Sequence, residues 1–208
     1  MSRVRVEPET FELVEYDAGV IAGITEELAA RVGIPDDAPI EVDVDEELPL
    51  PLTGSTADVE GGTVKLWFSG ADFESTHNRG AFDEALARAE IALALFRGAD
   101  RLSPAFASAP VDEALSDAQR HAWESWAEGR AARLGEHERK MRRQYHFRLY
   151  NGFTDIADAQ FERLWNTDSG AITWDELDAI CRECAAVDPR PTPKRKASIR
   201  RETLKPTP

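Results

Sequence analysis

Apolar residues recur at helical spacing over residues 18–32, where Ile21, Ile24, Leu28 and Val32 share one face. Gly33 and Pro35 close that helix. The period then changes to two. Ile40, Val42 and Val44 alternate with Glu41, Asp43 and Asp45, which predicts a half-buried strand with an acidic outer face. Leu48–Leu52 is apolar but contains Pro49 and Pro51, so it is expected to be an extended edge or loop. Gly61 and Gly62 turn the chain into TVKLWF, residues 63–68, a second strand. A further strand near Ala57–Glu60 would complete a small sheet.

After the polar stretch FESTHNRG, a helix is predicted over 81–96 with the stripe Phe82, Leu86, Ala89 and Leu93. Its second half, IALALF, is apolar all round, which marks the most buried helix of the molecule. Gly98 is expected to end it, and 103–111 to be a loop. From Ser116, where S-x-x-Q fits a capping box, a helical region carries Trp123, Trp126, Leu134, Met141, Tyr145 and Leu149. Breaks are expected at Gly129 and Gly135, and Gly152 closes the region. Two shorter helices, 155–165 and 174–186, flank NTDSGAI, the second opening on Thr173 and Glu176 at capping-box spacing.

These elements predict an α+β fold, a small sheet packed on a central buried helix. The expected organisation is an α+β unit over 1–112, a helical accessory region over 113–188 packed on it, and a basic tail over 189–208. The tail, PRPTPKRKASIRRETLKPTP, lacks the apolar content to fold and is expected to be disordered.

Charge divides along the same lines. Of the net -14, residues 1–112 hold 8 Lys/Arg against 23 Asp/Glu, whereas the tail holds 7 against 1. An acidic body repels phosphate, so any contact with nucleic acid falls to the tail or to the Arg139–Arg148 stretch. The N-terminus has no apolar stretch of signal-peptide length, and the longest apolar run, Ile91–Phe96, is far too short to cross a bilayer. A cytoplasmic protein with no membrane partner is expected. Arginine outnumbers lysine 20 to 5, a bias associated with GC-rich bacterial genes.

The order of helix, acidic strand, extended hairpin, apolar strand and buried helix, over roughly residues 10–102, resembles the minimal zincin-like metallopeptidases. The piece that carries the likeness runs from TVKLWF to ARAEIALALFRGADRL. In that family the helix bears His-Glu-x-x-His. The resemblance puts Glu90 at the position of the catalytic glutamate and Ala89 and Leu93 where the two zinc-binding histidines stand, with Gly98 and Asp100 echoing the following turn. Two histidines four residues apart are needed to aim both imidazoles at one metal, and alanine and leucine cannot ligate. The resemblance therefore implies a scaffold whose zinc site has been lost, with Glu90 paired to an arginine or reaching solvent. No stoichiometric zinc is expected.

Other clusters have plainer explanations beside the chemical ones. Cys181-Arg-Glu-Cys184 lies near a helix end and completes a stripe with Leu177 and Ile180; core packing accounts for it, a redox pair or half a zinc site being the alternatives. NTDSGAITWDE places Gly170, Ile172 and Glu176 as a calcium loop requires, but Trp165 and Thr167 stand where strong oxygen ligands belong. Of His77, His121, His137 and His146, His121 shares a helical face with Glu124, while His137 and His146 would point in opposite directions on one helix; solvated or singly hydrogen-bonded histidines are the plain reading. ERKMRRQYHFRLY interleaves basic and aromatic residues as an RNA-stacking surface would. It also reads as an amphipathic helix with Met141, Tyr145 and Leu149 facing the core. Its arginines would then pair with the acidic strand Glu41–Glu47 or with segment 154–188. Ser198 and Thr203 stand in basic contexts that kinases favour. No nucleophile elbow, P-loop or dinucleotide motif is present.

No catalytic, cofactor-binding or metal-ligating residue is assigned on this pattern. The function expected is non-catalytic, interaction or regulatory binding of another macromolecule, a protein before a nucleic acid, on a degenerate metallopeptidase-like scaffold, with the tail and the Arg139–Arg148 helix as the contacting parts. The alternatives are a metal-dependent hydrolase with relocated ligands, built on His121, Glu124 and another histidine or acid, and a nucleic-acid-associated protein acting through its tail.

Overall fold

The computed structural model describes residues 3–48, 50–136 and 139–189. The expectations placed on the rest of the tail, including Ser198 and Thr203, and on His137, lie outside the described residues.

The fold is α+β. Four strands, β1 (Val4–Glu7), β2 (Ile40–Asp45), β3 (Ser55–Glu60) and β4 (Thr63–Ser69), form one sheet in the order β1-β2-β4-β3. Helix α1 (Ala18–Val32) carries the chain from β1 back to its parallel neighbour β2, a link no tight turn can make. β2 runs parallel to β4, and the β3–β4 hairpin is antiparallel, leaving β3 at the edge. The register pairs Ile40 with Val64, Val42 with Leu66 and Val44 with Phe68. All six are buried, while Glu41, Asp43 and Lys65 are exposed. One face is thus apolar and packs with α1 and α2 (Glu84–Leu102) in a single core, and the other is charged.

β1 was not anticipated. Its four residues show the alternation Val4, Val6 too briefly to stand out, and only pairing with Ile40–Asp43 reveals it. α2 departs from expectation at both ends. Asp83 caps it, accepting from the Leu86 amide at 3.0 Å, and it runs through Gly98 to Leu102. Gly98 is an approach point rather than a stop: a Cβ there would lie 2.7 Å from Val64 Cγ1, so the bare backbone lets α2 rest on the sheet.

The second half folds as α3 (Asp117–Arg133), α4 (Lys140–Asn151), α5 (Asp155–Asn166) and α6 (Trp174–Val187). The expected capping boxes at Ser116 and Thr173 are both formed. Gly129 does not break α3. It lies where α5 approaches so closely that a Cβ would meet the Trp165 carbonyl oxygen at 2.3 Å. These helices enclose a second core in which Phe106 stands against Trp123 and Trp126, with ring centroids at 4.8 and 5.8 Å. Cys181 and Cys184 belong to that core as free, buried thiols, and burial pushes the Cys184 thiol up to about 11.

The phase expected for α4 is wrong. Met141 is 87% and Tyr145 54% exposed, whereas Phe147, fully buried, is the residue that enters the core. In the α5–α6 turn, Arg133 donates to the carbonyls of Trp165 and Thr167 at 2.6 and 2.7 Å. A guanidinium therefore uses the oxygens of the segment that resembles a calcium loop.

Candidate functional site

A cleft of about 650 Å³ opens where the first half meets the second. The first half contributes a strap, Leu48, Leu50 and 52–56, which leads into β3, together with Trp67, Asp72 and Glu74. α2 contributes Leu86 and Glu90, α3 contributes His121, Glu124 and Glu128, and α4 contributes Arg142, Arg143 and His146. The cleft joins an aliphatic side, Leu48, Leu50, Leu52 and Leu86, to a strongly charged one.

Two carboxylates hold the strap. Asp72, 5% exposed, accepts from the Gly54 amide (3.1 Å), the Ser69 amide (3.0 Å) and the Ser69 hydroxyl (3.2 Å). Glu74 accepts from the amides of Leu50 (3.0 Å) and Gly80 (2.8 Å), and these bonds hold its carboxyl below the usual range. Asp72 moves the other way: burial first, then the negative charge of Glu90, push it up to about 7 against the pull of its own hydrogen bonds.

On the helical side, acids and arginines pair with one another. Arg139 donates to Glu90 at 2.5 Å, and Arg143 pairs with Glu124 and, at 2.6 Å, with Glu128. His121 Nδ1 lies 3.0 Å from Glu124, and its ring stacks on Tyr150 and His146 with centroids at 4.6 and 5.7 Å. Burial alone would raise Glu124, but Arg143, His121 and Arg97 outweigh it and hold the carboxyl well below its usual range. Burial lowers His146, and the positive charges of His121, Arg143 and Arg142 add to that against Glu124.

Ala89 and Leu93 are core residues, 4% and 1% exposed, and Glu90 is the arginine-paired acid at a helix edge that its surroundings suggested. Internal pairing of the Arg139–Arg148 stretch is found, with partly different partners from those expected. Lys140 and Arg148 reach Glu162 and Asp158 of segment 154–188, but Arg139 and Arg143 turn to Glu90, Glu124 and Glu128 rather than to strand Glu41–Glu47. His121 and Glu124 meet as their spacing implied, and the fold adds His146. His77 is exposed on the turn after Glu74, outside the cleft lining.

Asp72, Glu74 and Trp67 were not singled out in the sequence, and Arg142 only as part of the basic stretch Arg139–Arg148. The strap left a signal of its own, three leucines between prolines in a segment barred from a central strand. Among the described residues, no three of His, Cys, Asp and Glu gather as a metal ion requires, and no helix is long and apolar enough to cross a membrane. No family model matches the chain, and comparison with curated proteins and with solved structures returned no match.

Proposed function

We propose that this chain is a non-catalytic binding protein, a degenerate zincin-like scaffold that holds a segment of another protein in its cleft. The observation that carries the reading is the state of Glu90 and its neighbours. The acid at the general-base position is tied to Arg139, and the residues at the ligand positions, Ala89 and Leu93, are packed inside. The cleft beside them still offers a leucine-lined wall next to the edge strand β3. An edge strand and an apolar wall suit an extended chain, which takes backbone hydrogen bonds from the one and side-chain burial from the other.

Selection of a displayed library of random peptides on the full chain tests this. Binders should be enriched, and they should be lost on Leu52→Arg, which changes a half-exposed side chain of the strap. Absence of enrichment, or binders indifferent to Leu52→Arg, would overturn the proposal.

A second reading, a hydrolase with relocated ligands, would draw on His121, Glu124 and His146, which share the cleft but do not gather as a metal ion requires. Against it, Glu124 is already engaged by Arg143 and His121. Elemental analysis of protein purified without chelator decides: one zinc per chain would replace the binding reading with the enzyme. The third reading, nucleic acid contacted through the tail, predicts affinity that falls linearly with the logarithm of salt concentration.

A further inference from the structure

Charge is unevenly compensated around the cleft. Asp72 and Glu74 are engaged by backbone and hydroxyl donors, Glu90 by Arg139, and Glu124 and Glu128 by Arg143, and Glu113, the sixth acid of the lining, is not without a partner. Of the cations, Arg120 is bound twice to Asp112, at 2.6 and 2.7 Å, and Arg139 and Arg143 are engaged as above. Arg142 is different. It is exposed, lines the cleft, and has no ion pair among the described residues. His146, its neighbour in the lining, has ring contacts with His121 and Tyr145 but no hydrogen bond among the described residues. The second ring nitrogen of His121 is likewise unengaged there. One side of the cleft therefore presents an uncompensated positive charge and imidazole nitrogens, and the other presents Leu50, Leu52 and Leu86.

We infer that the segment this cleft recognises carries a carboxylate beside a large aliphatic side chain, the carboxylate seated against Arg142 and His146 and the aliphatic group against Leu50, Leu52 and Leu86. This rests on the reading of the cleft as a binder of protein segments. A carboxylate is planar and accepts from both a guanidinium and an imidazole, and a charge-assisted bond to each is stronger than a neutral one. The net charge of -14 does not forbid an acidic partner, because at physiological salt charges more than about 8 Å away are largely screened and the contact is decided locally.

Proton uptake should accompany binding. His146 faces His121 and Glu124 from α3 and Arg142 and Arg143 on its own helix, with the rings of Tyr145 and His121 against it. Burial first, and then that positive charge, favour its neutral form. A bound carboxylate supplies the missing negative charge and favours the imidazolium, so affinity should rise as pH falls through the ordinary histidine range.

The test starts from the library selection. Binders that depend on Leu52 should carry Asp or Glu next to Leu, Ile or Met. A synthetic binder should then lose about tenfold in affinity, on the order of 1.4 kcal/mol, when its acid is changed to the amide or when the protein carries Arg142→Gln. The two changes together should cost little more than one. His146→Gln should flatten the pH dependence, and circular dichroism confirms that each variant is folded. 4-Methylpentanoate, a free aliphatic acid, serves as the second probe. If it shifts the His146 ring resonances while no peptide is enriched, the carboxylate chemistry stands but the source is a small molecule, and the protein-segment reading falls. Binders that need Leu52 yet show no acid preference, or that bind Arg142→Gln equally well, overturn the inference and leave the binding reading intact. No cleft-dependent binding by either probe overturns both.

Discussion

Around the sheet, burial falls on aliphatic side chains in a regular order: Val4 and Val6, then Ile40, Val42 and Val44, then Val64, Leu66 and Phe68. Where α2 meets α3 the buried groups are of another kind. Asp100 and Arg130 are 6% and 3% exposed and form a two-pronged pair at 2.7 and 2.6 Å. The Trp123 indole donates to the same carboxylate at 2.7 Å, and the guanidinium lies over the Trp126 ring at 3.6 Å. Arg97 and Asp112 face each other fully buried. Non-directional burial tolerates small rearrangement, whereas buried charge depends on each partner being present, because taking an ion out of water costs several kcal/mol that only its counter-charge offsets. The two junctions should therefore fail differently.

The largest effect is expected at the charged junction. Asp100→Ala strands the Arg130 guanidinium and the Trp123 N–H in a dry site and should cost about 3–5 kcal/mol in urea unfolding. A charge-free double replacement, Asp100→Leu with Arg130→Met, should recover much of that loss, since a buried pair is often no better than a well-packed apolar one. A loss below about 1 kcal/mol for Asp100→Ala would show that the pair does not hold the junction. In the two apolar cores the cost comes from lost volume. Phe147→Ala should cost about 3–5 kcal/mol and Leu93→Ala about 2–5 kcal/mol. No second-site change of charge should rescue either.

The same contrast explains what could be read from the chain. Ile40–Asp45 and Thr63–Phe68 announce themselves because one face is wet and one dry, and α1 because its stripe is regular. Gly98 and Gly129 misled because glycine has two uses. The local pattern cannot tell a helix stop from a place where another element comes within van der Waals range, and only Val64 and Trp165 reveal the difference. The cleft was legible in parts. Spacing along one helix brought His121 to Glu124, but Arg139–Glu90, Arg143–Glu128 and the Asp72–Gly54 clasp join residues 49, 15 and 18 positions apart, and no periodicity encodes them. The basic stretch of α4 showed that its arginines needed acids, without showing which.

Titration offers a subtler separation of the two kinds of burial. Asp72 is held up to about 7 from an ordinary value of 3.8, so the folded state binds its proton more tightly than the unfolded chain. That contribution to stability is complete below about 3.8 and is lost as pH rises through about 7. Glu124, held well below its ordinary value, has the opposite sign: its contribution is present above the usual carboxylate range and is lost as pH falls below it. Urea midpoints for the wild type should therefore decline from the ordinary carboxylate range up to about pH 7, and Asp72→Asn should remove that decline while leaving the acid-side loss in place. An unchanged slope in Asp72→Asn would place the titrating group elsewhere.

The smallest effect is expected on the outer face of α4, and it sharpens the comparison because sequence pattern and structure disagree there most directly. Met141, Tyr145 and Leu149 recur every four residues, the spacing of a core stripe. Yet the helix turns Phe147 inward, against Phe161 with ring centroids 5.7 Å apart, and its orientation is fixed from both sides by ions. Arg143 reaches α3 through Glu124 and Glu128, and Arg148 reaches α5 through a two-pronged contact with Asp158 at 2.6 and 2.7 Å. With those arms set, the rotation that would bury Met141 would pull both arginines from their partners. Met141→Ala should therefore change stability by no more than about 0.5 kcal/mol, as for other exposed positions. Were Met141 in the core, the same change would cost about 2–5 kcal/mol. The two expectations are far enough apart for a single pair of urea curves to separate them, and a loss in the higher range would mean that α4 packs in the phase its apolar stripe suggests rather than the one its ion pairs impose.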